Sequence, residues 1–158
     1  NQNFRVGLFA ERDGKLQPLH AFDLASRSHA PFSSYEQYAD RYRLDNDTNP
    51  SHAVRCVREG RTIIVADCGT EPGFEFFEDR QRRYLRSMVA FPLSDFSTDG
   101  INLTSAALLI DTDRPGFFCE ENRETIELRM ADFALRIGLE YAIGGLIDAH
   151  GVPERKTR

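Results

Sequence analysis

An α+β domain built on an antiparallel sheet is the fold class this sequence predicts, and three stretches predict it. Two apolar and β-branched runs, Ser87 to Leu93 and Asn102 to Asp111, flank a polar loop and read as a pair of central strands buried on both faces. Near the N-terminus Phe4, Val6, Leu8 and Ala10 lead into Asp13-Gly14, and Leu16 to Phe22 runs back, the pattern of a β-hairpin. From Glu120 to about Ala149 the apolar spacing becomes helical, giving one long element to cover the sheet.

Each element follows from local chemistry. In the hairpin Pro18 cannot donate to a ladder, so the second strand is expected to be an edge or to be bulged there. Ala25 to Phe32 reads as loop, and Ser33-Ser34 resembles a capping start for a short helix reaching about Arg43. Asn49-Pro50 predicts a cap and first turn for a second short helix, with Ala53, Val54 and Val57 on one face and Gly60 ending it. Thr62 to Ala66 is a compact strand that leaves abruptly at Asp67-Cys68-Gly69. Thr70 to Tyr84 has three Phe and three Arg without a clean period and reads as a loop or partly helical flap.

Between the two central strands, Ser94 to Gly100 reads as a solvated connection, and Asp113 to Gly116 carries turn chemistry. The closing helix shows two apolar stripes. Ile126, Met130, Phe133 and Ile137 can cover the sheet; Leu128, Leu135, Leu139, Ala142 and Leu146 then need another partner, as in a helix that is buried on more than one side or oligomeric.

Composition bounds the rest. At 158 residues, 41% apolar and 28% charged, the chain is expected to form one globular domain over residues 1–149, with a polar tail at 150–158. It opens on Asn1 with strand sequence already at Phe4, as a fragment of a longer protein would. A net charge of −5 argues against a nucleic-acid surface, although all but Lys15 and Lys156 of the 20 basic side chains are arginine. No apolar run approaches a membrane span. Cys56, Cys68 and Cys119 are an odd set without a C-x-x-C pair, which fits a reducing, cytoplasmic setting and no disulfide framework.

Three segments, SHAVRCVREGRTIIVADC (Ser51 to Cys68), RSMVAFPL (Arg86 to Leu93) and Ser105 to Ala142, resemble in order and spacing the motifs of the GAF family, small-molecule sensor modules related to PAS domains. The resemblance covers nearly the whole chain. It implies a central antiparallel sheet of five or six strands, a long C-terminal helix on one face and a ligand pocket on the other. It also implies dimerisation through terminal helices, with a helix before the first strand truncated or missing here, and an output domain elsewhere in the parent protein.

Site residues follow from placing the flap over that pocket. Phe74, Phe77 and Tyr84, with Arg83, Arg86 and Ser87 at the start of the first central strand, would offer aromatic faces and guanidinium groups to a planar or anionic ligand; His52, Arg55, Asp67 and Cys68 would line the facing wall. Thr104 is a further polar side chain in the apolar sheet. The cofactor is left unknown: no motif for bilin attachment, haem or cyclic nucleotide is present, and the four histidines are scattered. The alternatives are a ligand-free GAF module serving as dimerisation spacer, and a thiol-based enzyme resembling methionine-sulfoxide reductases, which the cysteine spacing does not support. No catalytic residue is assigned.

Overall fold

In the computed structural model, residues 3–23, 28–29, 36–77, 79–93, 97–98, 101–102 and 105–150 are described. The chain opens with β1 (Phe4–Arg12) and β2 (Lys15–Asp23), antiparallel and closed at Arg12 and Lys15. Asp13 and Gly14 both take positive φ, 55° and 74°, the backbone of the two-residue turn whose twist matches that of paired strands. The register slips between Leu8 and Phe9, so the ladder is bulged at the point where Pro18 lacks a donor. A two-residue strand, β3 (Ser28–His29), pairs with the end of β2. The expected loop at Ala25 to Phe32 otherwise lies outside the described residues, as does the Ser33-Ser34 cap.

A 3-10 helix, kinked at Tyr38, spans Glu36–Tyr42. The next helix, α1 (His52–Glu59), is capped by Ser51, whose Oγ accepts from the Val54 amide at 3.3 Å. The expected cap at Asn49 is therefore corrected by two residues. Asn49 is turned away to Arg41 and Glu75, and Ser51 has the same short acceptor side chain in the required extended backbone. Gly60, at φ 60°, closes α1 as expected, its amide reaching the carbonyls of Cys56 and Val57.

The strands β4 (Ile63–Val65), β5 (Ser87–Pro92) and β8 (Ala106–Thr112) complete a six-stranded antiparallel sheet in the order β3-β2-β1-β8-β5-β4. The central pair is β5 with β8, aligned Ser87 to Thr112 through Pro92 to Ala107. The second central strand starts at Ala106 rather than Asn102. Upstream, β6 (Ser97–Thr98) and β7 (Ile101–Asn102) form a separate small ribbon, and the rest of that connection, with Thr104, lies outside the described residues.

The strand period of two divides the core between two faces. On one face Met88, Ala90, Ala107, Phe9 and Val65 meet Ala53, Val54 and Cys56 of α1, with Phe74, Phe76 and Phe77 packed against them. On the other, Val89, Leu93, Ala106, Leu108 and Leu8 meet Phe118 and the long helix α2 (Arg123–His150), introduced by a 3-10 turn over Glu120–Asn122. Arg123 fixes the start of α2: it donates to the Thr62 carbonyl at 3.0 Å and pairs with Glu120 and Glu127 at 2.7 and 2.9 Å.

On α2 the sheet-facing stripe is Ile126, Met130, Ala134 and Ile137, with Met130 and Ala134 buried. Phe133 is 54% exposed and does not belong to it, a correction to the expected stripe. Ala134, not Phe133, shares the buried cluster with Val89, Leu108 and Phe118.

Candidate functional site

The residues singled out in the sequence do not gather in one place. Beneath the flap, Phe74 stands 5.1 Å from the His52 ring and 5.1 Å from Phe76. Phe77 stacks on Tyr38 with centroids 4.6 Å apart, meets Tyr42 edge-on at 6.0 Å, and has the Arg41 guanidinium 4.5 Å over its face. Phe74 and Phe77 thus occupy the sheet face on which a pocket is expected. Tyr42 in turn stacks on Phe9 of β1 at 5.4 Å, so the rings run without interruption from flap to sheet.

Polar contacts hold the flap down as well. The Tyr38 hydroxyl donates to the Phe77 carbonyl, Asn49 Nδ2 donates to Glu75 at 2.7 Å, and Arg41 lies 3.7 Å from the same carboxylate. Gln81 accepts from the Phe77 amide at 2.7 Å. Tyr38, Arg41, Asn49 and Glu75 were not among the sequence-derived site residues. Their one signal is that Tyr38 and Tyr42 lie a helical turn apart, with Arg41 between them on the same segment.

A second group gathers at the end of the central strands. Arg86 reaches Asp67 at 3.2 and 3.3 Å, and Asp67 also accepts from the Gly69 amide at 3.0 Å. Those bonds hold the Asp67 carboxyl below the usual carboxylate range, with the Gly69 amide contributing most. A Cβ on Gly69 would sit 3.3 Å from Asp67 Oδ1, so the glycine lets the backbone close over this pair. The Nε of Arg86 is shielded from solvent and has no hydrogen-bond partner among the described residues. Beside it, Arg5 stacks on Tyr84 at 3.8 Å, donates to the Tyr84 carbonyl at 3.1 Å and pairs with Asp111.

The remaining residues stand apart. Ser87 points to the α2 side of the sheet, fully buried: its hydroxyl donates to the Val65 carbonyl at 2.9 Å and accepts from the Phe118 amide at 3.0 Å. It does not share the flap's face. Arg83 is exposed on a 3-10 turn over Asp79–Arg83. Arg55 borders an open cleft of about 320 Å³ with Asp47, Pro50, Arg58 and Glu59, in which Arg58 pairs with Asp47 at 2.5 Å.

The titration behaviour of the flap face is that of a core. Burial pushes the Cys56 thiol up to about 12, with Glu59 adding to it, and burial then Asp111 push Cys68 up to about 12. That is opposite to the depressed pKa of a thiol nucleophile. Burial, then Arg55 and Arg41, hold His52 down to about 4, so its imidazole is neutral near pH 7. Among the described residues no group of three or more His, Cys, Asp or Glu is placed to hold a metal ion, and no helix is long and apolar enough to cross a membrane.

No family model and no curated protein sequence matches the chain. Among solved structures, the GAF domain of a phosphoenolpyruvate-protein phosphotransferase from Coxiella burnetii is similar, with a TM-score of 0.52 at 13% identity, over 92% of this chain and 75% of that one. At that identity the likeness concerns the fold. The chain has a GAF-like fold: an antiparallel sheet with the C-terminal helix on one face and α1 and the flap on the other.

Proposed function

We propose that this chain is a regulatory module of the GAF type that works as a homodimer through α2, takes a small planar or anionic molecule beneath the flap, and passes the change to an output region of a longer protein. The observation that carries the regulatory half is the outward row of α2. Leu128 and Leu135 stand 68% and 55% exposed on the side away from the sheet, while Met130 and Ala134 are buried against it. A helix that has already covered its own core and still presents leucines needs a further partner. The ligand half rests on the flap, an aromatic cover flanked by the Arg41 and Arg86 guanidinium groups and held to its floor by a few polar contacts. No reaction is assigned; the raised thiols of Cys56 and Cys68 support a non-enzymatic reading.

One observation favours a second reading, a GAF module without ligand that serves as a dimerisation spacer: Phe74 and Phe77 already fill the face where a ligand would sit. Native mass spectrometry of the purified chain, followed by thermal-shift measurements with nucleotides, cyclic nucleotides, amino acids and tetrapyrroles, separates the two. A stabilising class whose effect disappears in Phe77→Ala supports the sensor. No co-purified species and no shift with any class leaves the spacer.

A further inference from the structure

Arg86 holds its carboxylate partner poorly, and the cause is the partner's own turn. Asp67 accepts from the Gly69 amide at 3.0 Å, while its main-chain carbonyl accepts from the amides of Thr70 and Glu71 at 3.1 and 2.9 Å. The Gly69 amide, more than Arg86, is what lowers the pKa of the Asp67 carboxyl. Fixed in that turn, the carboxylate meets the guanidinium through one nitrogen: Nη2 lies 3.2 Å from one oxygen and 3.3 Å from the other. A fitted arginine–carboxylate fork joins two nitrogens to two oxygens at about 2.7–2.9 Å. Here the Nε of Arg86 is left over, and a shielded donor without an acceptor is costly. Arg5, next along β8, shows the contrast: it meets Asp111 through both Nε and Nη2 and also donates to the Tyr84 carbonyl.

The chain keeps this edge of Arg86 clear of side chains. A Cβ on Gly69 would stand 3.7 Å from Nη2 and 3.9 Å from Nε. Gly69 is not one of the glycines with positive φ, so its backbone conformation does not itself demand glycine. Both members of the pair reach solvent, Arg86 with 36% and Asp67 with 26% of the side chain exposed. Cys68, between Asp67 and Gly69, is buried in the cluster on which the flap's Phe residues pack, so the edge lies beside the flap.

We propose that the Nε–Nη2 edge of Arg86 is a subsite for a two-oxygen anion, the carboxylate or phosphate group of a small molecule, and that Asp67 holds the place until that group displaces it. This deepens the reading of a ligand beneath the flap and rests on it for the body of that molecule. An incoming oxyanion is not tied to the turn, so it can meet both nitrogens at once, and Asp67 is released to solvent. One anion replaces another at the guanidinium, so the bare site is weak and selects by geometry rather than by charge.

The probes are acetate and inorganic phosphate, titrated separately into the isotope-labelled 158-residue chain at constant ionic strength with chloride as control. The Arg86 Nε–H resonance should move saturably with one or both oxyanions and not with chloride; a response to acetate alone assigns a carboxylate ligand, to phosphate alone a phosphate. Asp67→Asn keeps an oxygen for the Gly69 amide but removes the competing charge, and should lower the half-saturating concentration by about threefold or more. Gly69→Ala fills the edge and should raise it by about threefold or more. Arg86→Lys keeps the charge without the fork, and the backbone amides of Gly69 and Ser87 should then respond no more to oxyanions than to chloride. Circular dichroism of each variant shows that the fold is kept. A wild-type resonance that follows chloride as closely as the oxyanions overturns the subsite, and so does an unchanged half-saturation in Asp67→Asn. Saturation by an oxyanion with no stabilising class of compound overturns the flap ligand alone; a stabilising class with no response at Arg86 overturns this subsite alone.

Discussion

A hydroxyl with no exposed surface must find its partners inside the protein, and Ser87 finds them on two elements, the Val65 carbonyl of β4 and the Phe118 amide ahead of α2. It joins an edge strand to the segment that turns toward the helix. Ser87→Ala leaves the Phe118 amide buried without an acceptor and should cost about 1–3 kcal/mol, read as a lower urea midpoint at unchanged m-value. An unaltered midpoint would show that the amide has another acceptor. His52 makes the complementary case for charge. Its imidazole is held down to about 4 mainly by burial, against about 6.5 in an unfolded chain. Between those values the unfolded state takes up a proton that the folded state refuses. Stability from the neutral imidazole is therefore complete above about pH 6.5 and is lost as pH falls toward about 4. His52→Phe keeps a ring against Phe74 and should reduce the acid-side loss by up to about 1.4 kcal/mol per pH unit, measured as the difference between variant and wild type. Equal slopes would mean that His52 titrates normally.

At the scale of elements, the flap is attached to the Glu36–Tyr42 segment more than to the sheet beneath it. The Tyr38 hydroxyl, the Asn49 amide and Arg41 all reach flap atoms, and the three Phe residues of the flap are only partly buried. Removing one such contact should open the flap locally without loosening the strands. In Tyr38→Phe the Phe77 amide should exchange with solvent about fivefold faster, as expected for the loss of about 1 kcal/mol, while amides of β5 and β8 keep their rates. Acceleration in both places would mean that flap and sheet open as one unit.

The same scale shows what was legible in the sequence. The strands around Ser87 and Ala106 and the turn at Asp13-Gly14 were readable because apolar runs and turn chemistry are local. Which side of the strands faces the flap was not, because a period of two is blind to which face is which; the contact of Ser87 with Phe118, 31 residues away, decides it. Phe133 and Ala134 were exchanged for a related reason. Their helical angles differ little from those of Ile137 and Met130, so spacing alone does not choose between them. The contact of Tyr38 with Phe77 was hidden because the two meet only after the chain has folded back across 39 residues.

For the whole molecule, the question is whether pairing is part of the fold or a use made of it. Both faces of the sheet are covered from within one chain, by α1 and the flap on one side and by Phe118, Met130 and Ala134 on the other. Of the outward row of α2, the described leucines, Leu128 and Leu135, belong to neither cluster, and Leu135 is 55% exposed in the single chain. Folding then does not depend on association: the chain should keep a cooperative Tm of its own at low protein concentration, and pairing should only add to it by mass action as concentration rises. Leu135→Glu places a charge on the outward row while removing no contact with either core cluster, so its intrinsic cost should stay within about 0.5 kcal/mol. The expected result is a monomer by light scattering with an unchanged circular dichroism spectrum and a midpoint close to that of wild type at low concentration. A variant that loses helix or unfolds early would show instead that the outward leucines are core, and that the folded unit is the dimer itself.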